Sequence, residues 1–267
     1  DGFELLVENE FSEDYALAFF ADFMGGTDKY LKDYNQGSWG QEIYAKMHTP
    51  YGKITAGQMY NAAYEQAVSA PAFGPLKVNN SNVVDFISNP NWVRRKKTTS
   101  FKTLNSTYIN TDGDSAKISY FSPEFYGTEV GVSYVPYTYN RAGLVNKNAV
   151  YHNKGGAVVS LLNHLDLEIA EMQTSLAYAE FFDNDKEYAG GVSFYRKGFT
   201  IGGSYRRTNK NGKKTAENLP EFFDGYRNSS AYNLGIGYEI GPFKTALTYF
   251  AAKTKHTDFS DRVFTTR

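Results

Sequence analysis

Apolar and polar residues alternate with period two through short stretches of this chain, and each stretch runs into a tight corner and a second alternating stretch. In AYNLGIGYEI, Tyr232, Leu234, Ile236, Tyr238 and Ile240 share one face, while Asn233, Gly235, Gly237 and Glu239 share the other. After Gly241-Pro242 the alternation resumes, with Phe243, Leu247 and Tyr249 on one side and Lys244, Ala246 and Thr248 on the other. Successive side chains of a strand point to opposite faces, so this pattern predicts a β-hairpin.

Five further hairpins follow the same plan. FELLVENEF turns at Ser12-Glu13-Asp14 into YALAFFADFM, and EIYAKMH turns at Thr49-Pro50-Tyr51-Gly52 into KITAGQ. Pro and Gly there supply the fixed and the permissive φ that such corners use. AKISYF and TEVGVSYV flank SPEFYG, and EYAGGVSFY and FTIGGSYRR flank Arg196-Lys197-Gly198. The remaining pair, AVVSLLN and DLEIAEMQTSLAYA, changes phase: apolar residues fall on odd numbers through Leu165, Leu167 and Ile169, then on even ones at Met172, Leu176 and Tyr178. A β-bulge or a corner placed elsewhere accounts for that change. About twelve strands are expected in all.

The segments between hairpins, 25–41, 59–115, 136–156, 180–186 and 207–230, are rich in Asn, Lys, Gly, Asp and Ser, and most exceed ordinary loop lengths. Short and long connections therefore alternate. Strands with one apolar and one polar face need two solvents, which a transmembrane barrel supplies as lipid outside and water inside, with short turns at one rim and long loops at the other. The expected fold is all-β, a transmembrane antiparallel up-and-down β-barrel, with residues 1–267 as a single domain.

Composition narrows the alternatives. The chain has 267 residues, 22 Tyr, 20 Phe and 24 Gly, yet only 41% hydrophobic residues, and a mean hydropathy of −0.51. That suits a thin apolar band edged by aromatic girdles better than a thick dry core. No run approaches the roughly 18 apolar residues of a spanning helix, which leaves closed strands as the route across a bilayer. A net charge of −1 gives no electrostatic case for nucleic acid. There is no cysteine, so disulfides, thiolate metal sites and thiol nucleophiles are excluded. DGFELLVENEF lacks the basic and hydrophobic regions of an export leader, so a leader is expected to lie outside this sequence. His48, His152, His164 and His256 lack metal-ligand spacing, and no Ser-His-Asp order or nucleophile elbow is present. No cofactor is expected.

Three stretches carry a family resemblance. AKISYFSPEFYGTEVGVSYVP resembles the Gram-negative general-diffusion porins, in which a strand ending in Ser-Pro-x-Phe-x-Gly turns into a strand of Gly-x-Ser-Tyr type. YGKITAGQ followed by a very long connector is similar to that family's strand leading into its constriction loop, and GIGYEIGPFKTALTYF is similar to a later hairpin. The resemblance implies a sixteen-stranded outer-membrane barrel, a homotrimer, contact with outer-membrane lipid and lipopolysaccharide, and passage of small hydrophilic solutes. Two departures are visible. The chain shows twelve strands and ends in DRVFTTR rather than in an aromatic residue. Strands before Asp1 and after Arg267 are therefore expected.

The resemblance also implies that residues 59–115 fold inward and narrow a pore, with acidic groups set against basic ones on the wall. The connector's candidates are Glu65 and Asp85. Its Arg94-Arg95-Lys96-Lys97 run reads as an outer-loop or lipopolysaccharide-facing cluster from which Arg94 alone is a candidate to point inward. Strand parity puts Glu8, Glu10, Glu42, Lys46, His48, Lys53, Lys117, Arg206, Glu239 and Lys244 on the polar row. Lys46, Lys53 and Lys117 flank the connector and are the wall's basic candidates, with Glu8, Glu10 and Glu42 as its acidic ones. The expected function is a passive water-filled channel without catalysis. The alternatives are a channel selective for sugars or anions, an outer-membrane barrel enzyme, and a soluble carbohydrate-binding sandwich.

Overall fold

A computed structural model describes residues 2–12, 15–24, 42–73, 79, 104, 106–113, 115–138, 153–181, 185–209, 228–254 and 260–266. They form thirteen strands and one short helix: β1 Gly2–Ser12, β2 Tyr15–Met24, β3 Glu42–Thr49, β4 Gly52–Gln58, α1 Ala62–Glu65, β5 Ala116–Phe121, β6 Thr128–Thr138, β7 Asn153–Leu167, β8 Ala170–Phe181, β9 Asp185–Arg196, β10 Phe199–Asn209, β11 Ser229–Ile240, β12 Phe243–Thr254 and β13 Ser260–Thr266. Each strand hydrogen-bonds its neighbour in chain order within one thirteen-stranded sheet. The pairs from β1 to β6 and from β9 to β13 are antiparallel. This is the expected all-β, up-and-down order. The twelve strands read from the sequence are present, and a thirteenth follows them at Ser260–Thr266.

The tight corners stand where period two breaks. At Lys197-Gly198 both residues take positive φ, 47° and 87°, the pairing a two-residue turn needs to match strand twist. The phase change between Leu167 and Met172 is itself a corner. β7 ends at Leu167 and β8 begins at Ala170, and a two-residue turn carries an odd outward row into an even one without any bulge. Several strands run past their expected ends, β6 to Thr138 and β10 to Asn209, because polar strand termini do not show the alternation. The link from β8 to β9 shortens accordingly to residues 182–184, a departure from the long connection expected there.

The faces are partitioned as the alternation requires. Leu234, Ile236 and Ile240 are 57%, 55% and 58% exposed, whereas Ala231 and Asn233 on the opposite face are fully buried. The aromatic and aliphatic row thus points outward to the surroundings, and the Gly, Asn, Ser and Thr row points to the covered side. Two compact units are distinguishable, residues 1–66, 110–161 and 179–183, and residues 67–109, 162–178 and 184–267.

Candidate functional site

In the first unit, register stacks the inward face of β1 to β6 into three rows. Cross-strand partners share a face, so Leu6, Phe20, Tyr44, Gly57 and Lys117 form the first row. Glu8, Ala18, Lys46, Thr55, Ser119 and Ser133 form the second, and Glu10, Ala16, His48, Lys53 and Phe121 the third. The Phe20 and Tyr44 rings meet at 5.2 Å. Three basic side chains, Lys46, His48 and Lys53, therefore gather on two adjacent strands. Glu8 and Glu10 stand exposed two strands away.

After β4 the chain turns across this face. Asn61 caps α1, its side chain accepting from Tyr64 N at 2.9 Å, and the small Ala62 and Ala63 are buried against the wall. Ala62 N donates to Ser133 Oγ at 2.8 Å. Gln66 accepts from Ser160 Oγ at 2.7 Å and donates to Glu129 at 2.5 Å. Glu65 at the end of the helix reaches Lys53 Nζ at 3.4 Å, a partly exposed pair, and the same ammonium lies 3.8 Å from the centre of the Phe121 ring.

Both ends of the connector converge on Lys117. Its fully buried Nζ lies 2.9 Å from Asp112 Oδ2 and donates to Gly113 O at 2.8 Å and to Met59 O. Asn61 Nδ2 donates to Asp112 Oδ1 at 2.5 Å. Burial pushes the Asp112 carboxyl above the ordinary carboxylate range, with the Lys117 charge and the Asn61 hydrogen bond pulling the other way. A carboxyl whose folded pKa is raised favours the folded state below its ordinary pKa and loses that contribution as pH climbs through the raised one. Lys117→Met leaves the buried Asp112 carboxylate without the Lys117 charge, so a loss of about 3–5 kcal/mol is expected at alkaline pH. Thermal melts should show part of that loss regained on acidification, as Asp112 takes up a proton.

In the second unit, residues 67–73 lie along the inward face of β8 to β12. Val68 N donates to Ser175 Oγ at 2.9 Å, and Thr248 Oγ1 donates to Pro71 O at 2.7 Å. Between those bonds the wall is bare of side chains. A Cβ on Gly191 would lie 1.8 Å from Val68 O, and one on Gly235 would lie 3.1 Å from Ala70 Cβ. The returning limb is bound as firmly. Thr107 and Ser204 hydroxyls meet at 2.6 Å, Ser204 donates to Asn233 at 2.5 Å, and Thr107 N donates to Asn79 Oδ1 at 2.8 Å. Arg206 is fully buried, donating from Nε at 3.1 Å and Nη2 at 2.6 Å to Glu187 Oε2, and from Nη1 to Tyr108 O.

Of the residues expected from the sequence, the structure joins Lys53 to Glu65 and sets Lys46 on the same face. Glu8 and Glu10 lie across Ala18 and Ala16 from Lys46 and His48. Lys117 is inward but taken up by Asp112. Glu42 pairs with Asp22 in the β2–β3 register; Asp85 and Arg94 lie outside the described residues. The sequence reading missed the pairing of Asp112 with Lys117 and that of Glu187 with Arg206. Only the inward parity of Lys117 and Arg206 hinted at either.

A family model described as Gram-negative porin matches residues 4–266. A Rickettsia bellii protein, described as uncharacterised, is 22% identical over 279 residues, covering 79% of this chain and 62% of that protein. The chain therefore spans under two thirds of that relative's length. Among solved structures, an anion-selective porin from Comamonas acidovorans superposes with a TM-score of 0.57 at 11% identity, covering 99% of this chain and 72% of the other. Salmonella typhi OmpF, in complex with daunomycin, gives 0.58 at 11% identity, covering 98% and 74%. At such identities the likeness is one of fold.

Proposed function

Since the chain belongs to the Gram-negative porin family of outer-membrane β-barrel proteins, we propose that it forms a passive, water-filled channel for small hydrophilic solutes and ions. The observation that carries this is the two-faced wall, with Ile236 and its row exposed and Asn233 and its row covered. Lipid accepts the first face and water the second. Residues 59–115 are the constricting segment in this proposal, supported by the hydrogen bonds that hold Ala62, Val68, Pro71 and Thr107 on the inward face. Lys46, Lys53 and Glu65, with Glu8, Glu10 and Glu42, are its pore-facing charges, and Asp85 and Arg94 are included from the sequence. Lys117 serves as a brace. A homotrimer meeting along the apolar outer rows, with lipid and lipopolysaccharide around it, belongs to the same proposal. It requires neither cofactor nor covalent chemistry.

Planar bilayers test it. Discrete conductance steps in multiples of three are expected, and an absence of steps from correctly folded protein counts against a channel. A second reading, selectivity for anions, is favoured by the Lys46, His48 and Lys53 group, and the reversal potential in a salt gradient separates the two. Ile236→Arg tests the lipid face: a cation near the bilayer midplane costs about 2–4 kcal/mol, so insertion into vesicles should fall. A soluble sandwich would tolerate a charge at a position already 55% exposed.

A further inference from the structure

The start of the connector carries two stacked aromatic rings. Tyr60 precedes the capping Asn61 and Tyr64 lies within α1, and their rings are 3.9 Å apart between centres and 10° apart in plane. Ala62 and Ala63 are the buried side of this helical turn, and at 3.6 residues per turn Tyr64 projects about 150° around the axis from their midpoint. The stack therefore stands on the side turned from the wall. Both rings are half-buried, so part of each meets solvent.

Other groups fix the backbone beneath them. Asn61 accepts from Tyr64 N at 2.9 Å and donates to the buried Asp112 at 2.5 Å, Ala62 N donates to Ser133 Oγ at 2.8 Å, and Lys117 holds Met59 O. Beside the stack, the ion pair of Lys53 with Glu65 keeps 23% and 33% of its side chains exposed. It offers a donor and an acceptor at the margin of an aromatic surface. A second ring pair, Phe20 with Tyr44, stands on the same inward face. Tyr44 is opposite Gly57 in register, and the three residues from Gly57 to Tyr60 span at most about 11 Å. Aromatic surface in a water-filled passage gains by being covered, and a ring held in place in advance is suited to cover by another flat ring.

We propose that the stack of Tyr60 and Tyr64 binds solutes that carry a flat aromatic ring and an uncharged polar substituent, and so retains them over saturated rings of the same size. The inference rests on the channel reading above for its role in transport. The solute ring lies against the tyrosine rings, and its substituent meets Glu65 and Lys53. Flatness is the discriminating property. A puckered ring is at least as apolar but touches an aromatic face along fewer atoms, so hydrophobic capture and stacking predict opposite orders.

The folded full chain in detergent is titrated with benzamide and with cyclohexanecarboxamide by saturation-transfer NMR, and both solutes are then added to planar bilayers holding the protein. The wild type is expected to bind benzamide about fivefold more tightly, the scale of one aromatic pair, and to show longer current interruptions with it. Tyr60→Leu and, separately, Tyr64→Leu should each bring the affinity ratio close to one. Tyr60→Phe with Tyr64→Phe should keep it, and Tyr51→Leu, at an exposed corner ring, should leave it unchanged. A wild-type ratio of one or below, or a preference that survives both leucine variants, overturns the site. If Tyr64→Leu fails to fold, Tyr60→Leu, outside the helix, decides by itself. Conducting protein without the preference overturns the platform and leaves the channel standing; the preference without current supports the platform and defeats the channel.

Discussion

Glu187→Ala is expected to destabilise the chain by about 3–5 kcal/mol, because it takes the Glu187 carboxylate from a fully buried Arg206 guanidinium. Arg206 and Glu187 have side chains with no solvent exposure and a closest approach of 2.6 Å. The cost of stranding one of them far exceeds that of cutting a surface pair. The same guanidinium donates to Tyr108 O, so the returning limb of the connector loses its anchor as well. A double variant separates the two effects. Glu187→Leu with Arg206→Met replaces the pair by apolar groups of similar volume, a change often neutral for stability, yet it removes the Arg206 donor from Tyr108 O. Thermal melting should recover in that variant while single-channel current noise stays above wild type. If noise and stability recover together, Arg206 does not position the connector.

The second large effect is expected at Gly191. A Cβ there would lie 1.8 Å from Val68 O and 3.1 Å from Ser204 Cβ, so even Gly191→Ala must lift the Val68 backbone from β9. Overpacking of this kind costs about 1–3 kcal/mol, and losing the bond from Val68 N to Ser175 adds a buried unpaired donor at about 1–3 kcal/mol. The adjacent Gly190 is the control. Its Cβ would lie 3.1 Å from a terminal methyl of Leu176 and 3.2 Å from Ser175 O, contacts relieved by shifts of a few tenths of an ångström, so Gly190→Ala should cost about 1 kcal/mol. Melting temperature and conductance, measured on both, should shift strongly for Gly191 alone. Equal effects would mean that the connector does not rest on β9.

Both predictions turn on contacts that no pattern reading supplies. Period two is local, and it correctly assigned the outward row of β11 and the corner at Lys197-Gly198. Where the outward row changed from odd to even after Leu167, the alternation marked the break but not its cause. Parity also placed Lys117 and Arg206 on the inward face. It was silent on what covers them, since Asp112 and Tyr108 belong to a connector whose contacts join residues far apart in the chain. Ala62 meets Ser133 71 positions away, and Pro71 meets Thr248 177 positions away.

By itself the order of residues was enough for strands, hairpins and the side of each strand that meets apolar surroundings, because those follow from backbone geometry and neighbours one or two positions off. It also sufficed for recognising the family. Which inward charges remain open to water was decided by folding. Lys117 and Arg206 are neutralised by acids brought in through the connector and through β9, while Glu8 and Glu10 stay exposed and Lys46 half-buried. The physical reason is that a charge's environment depends on whatever packs over it, and that partner is set by register and chain path in three dimensions.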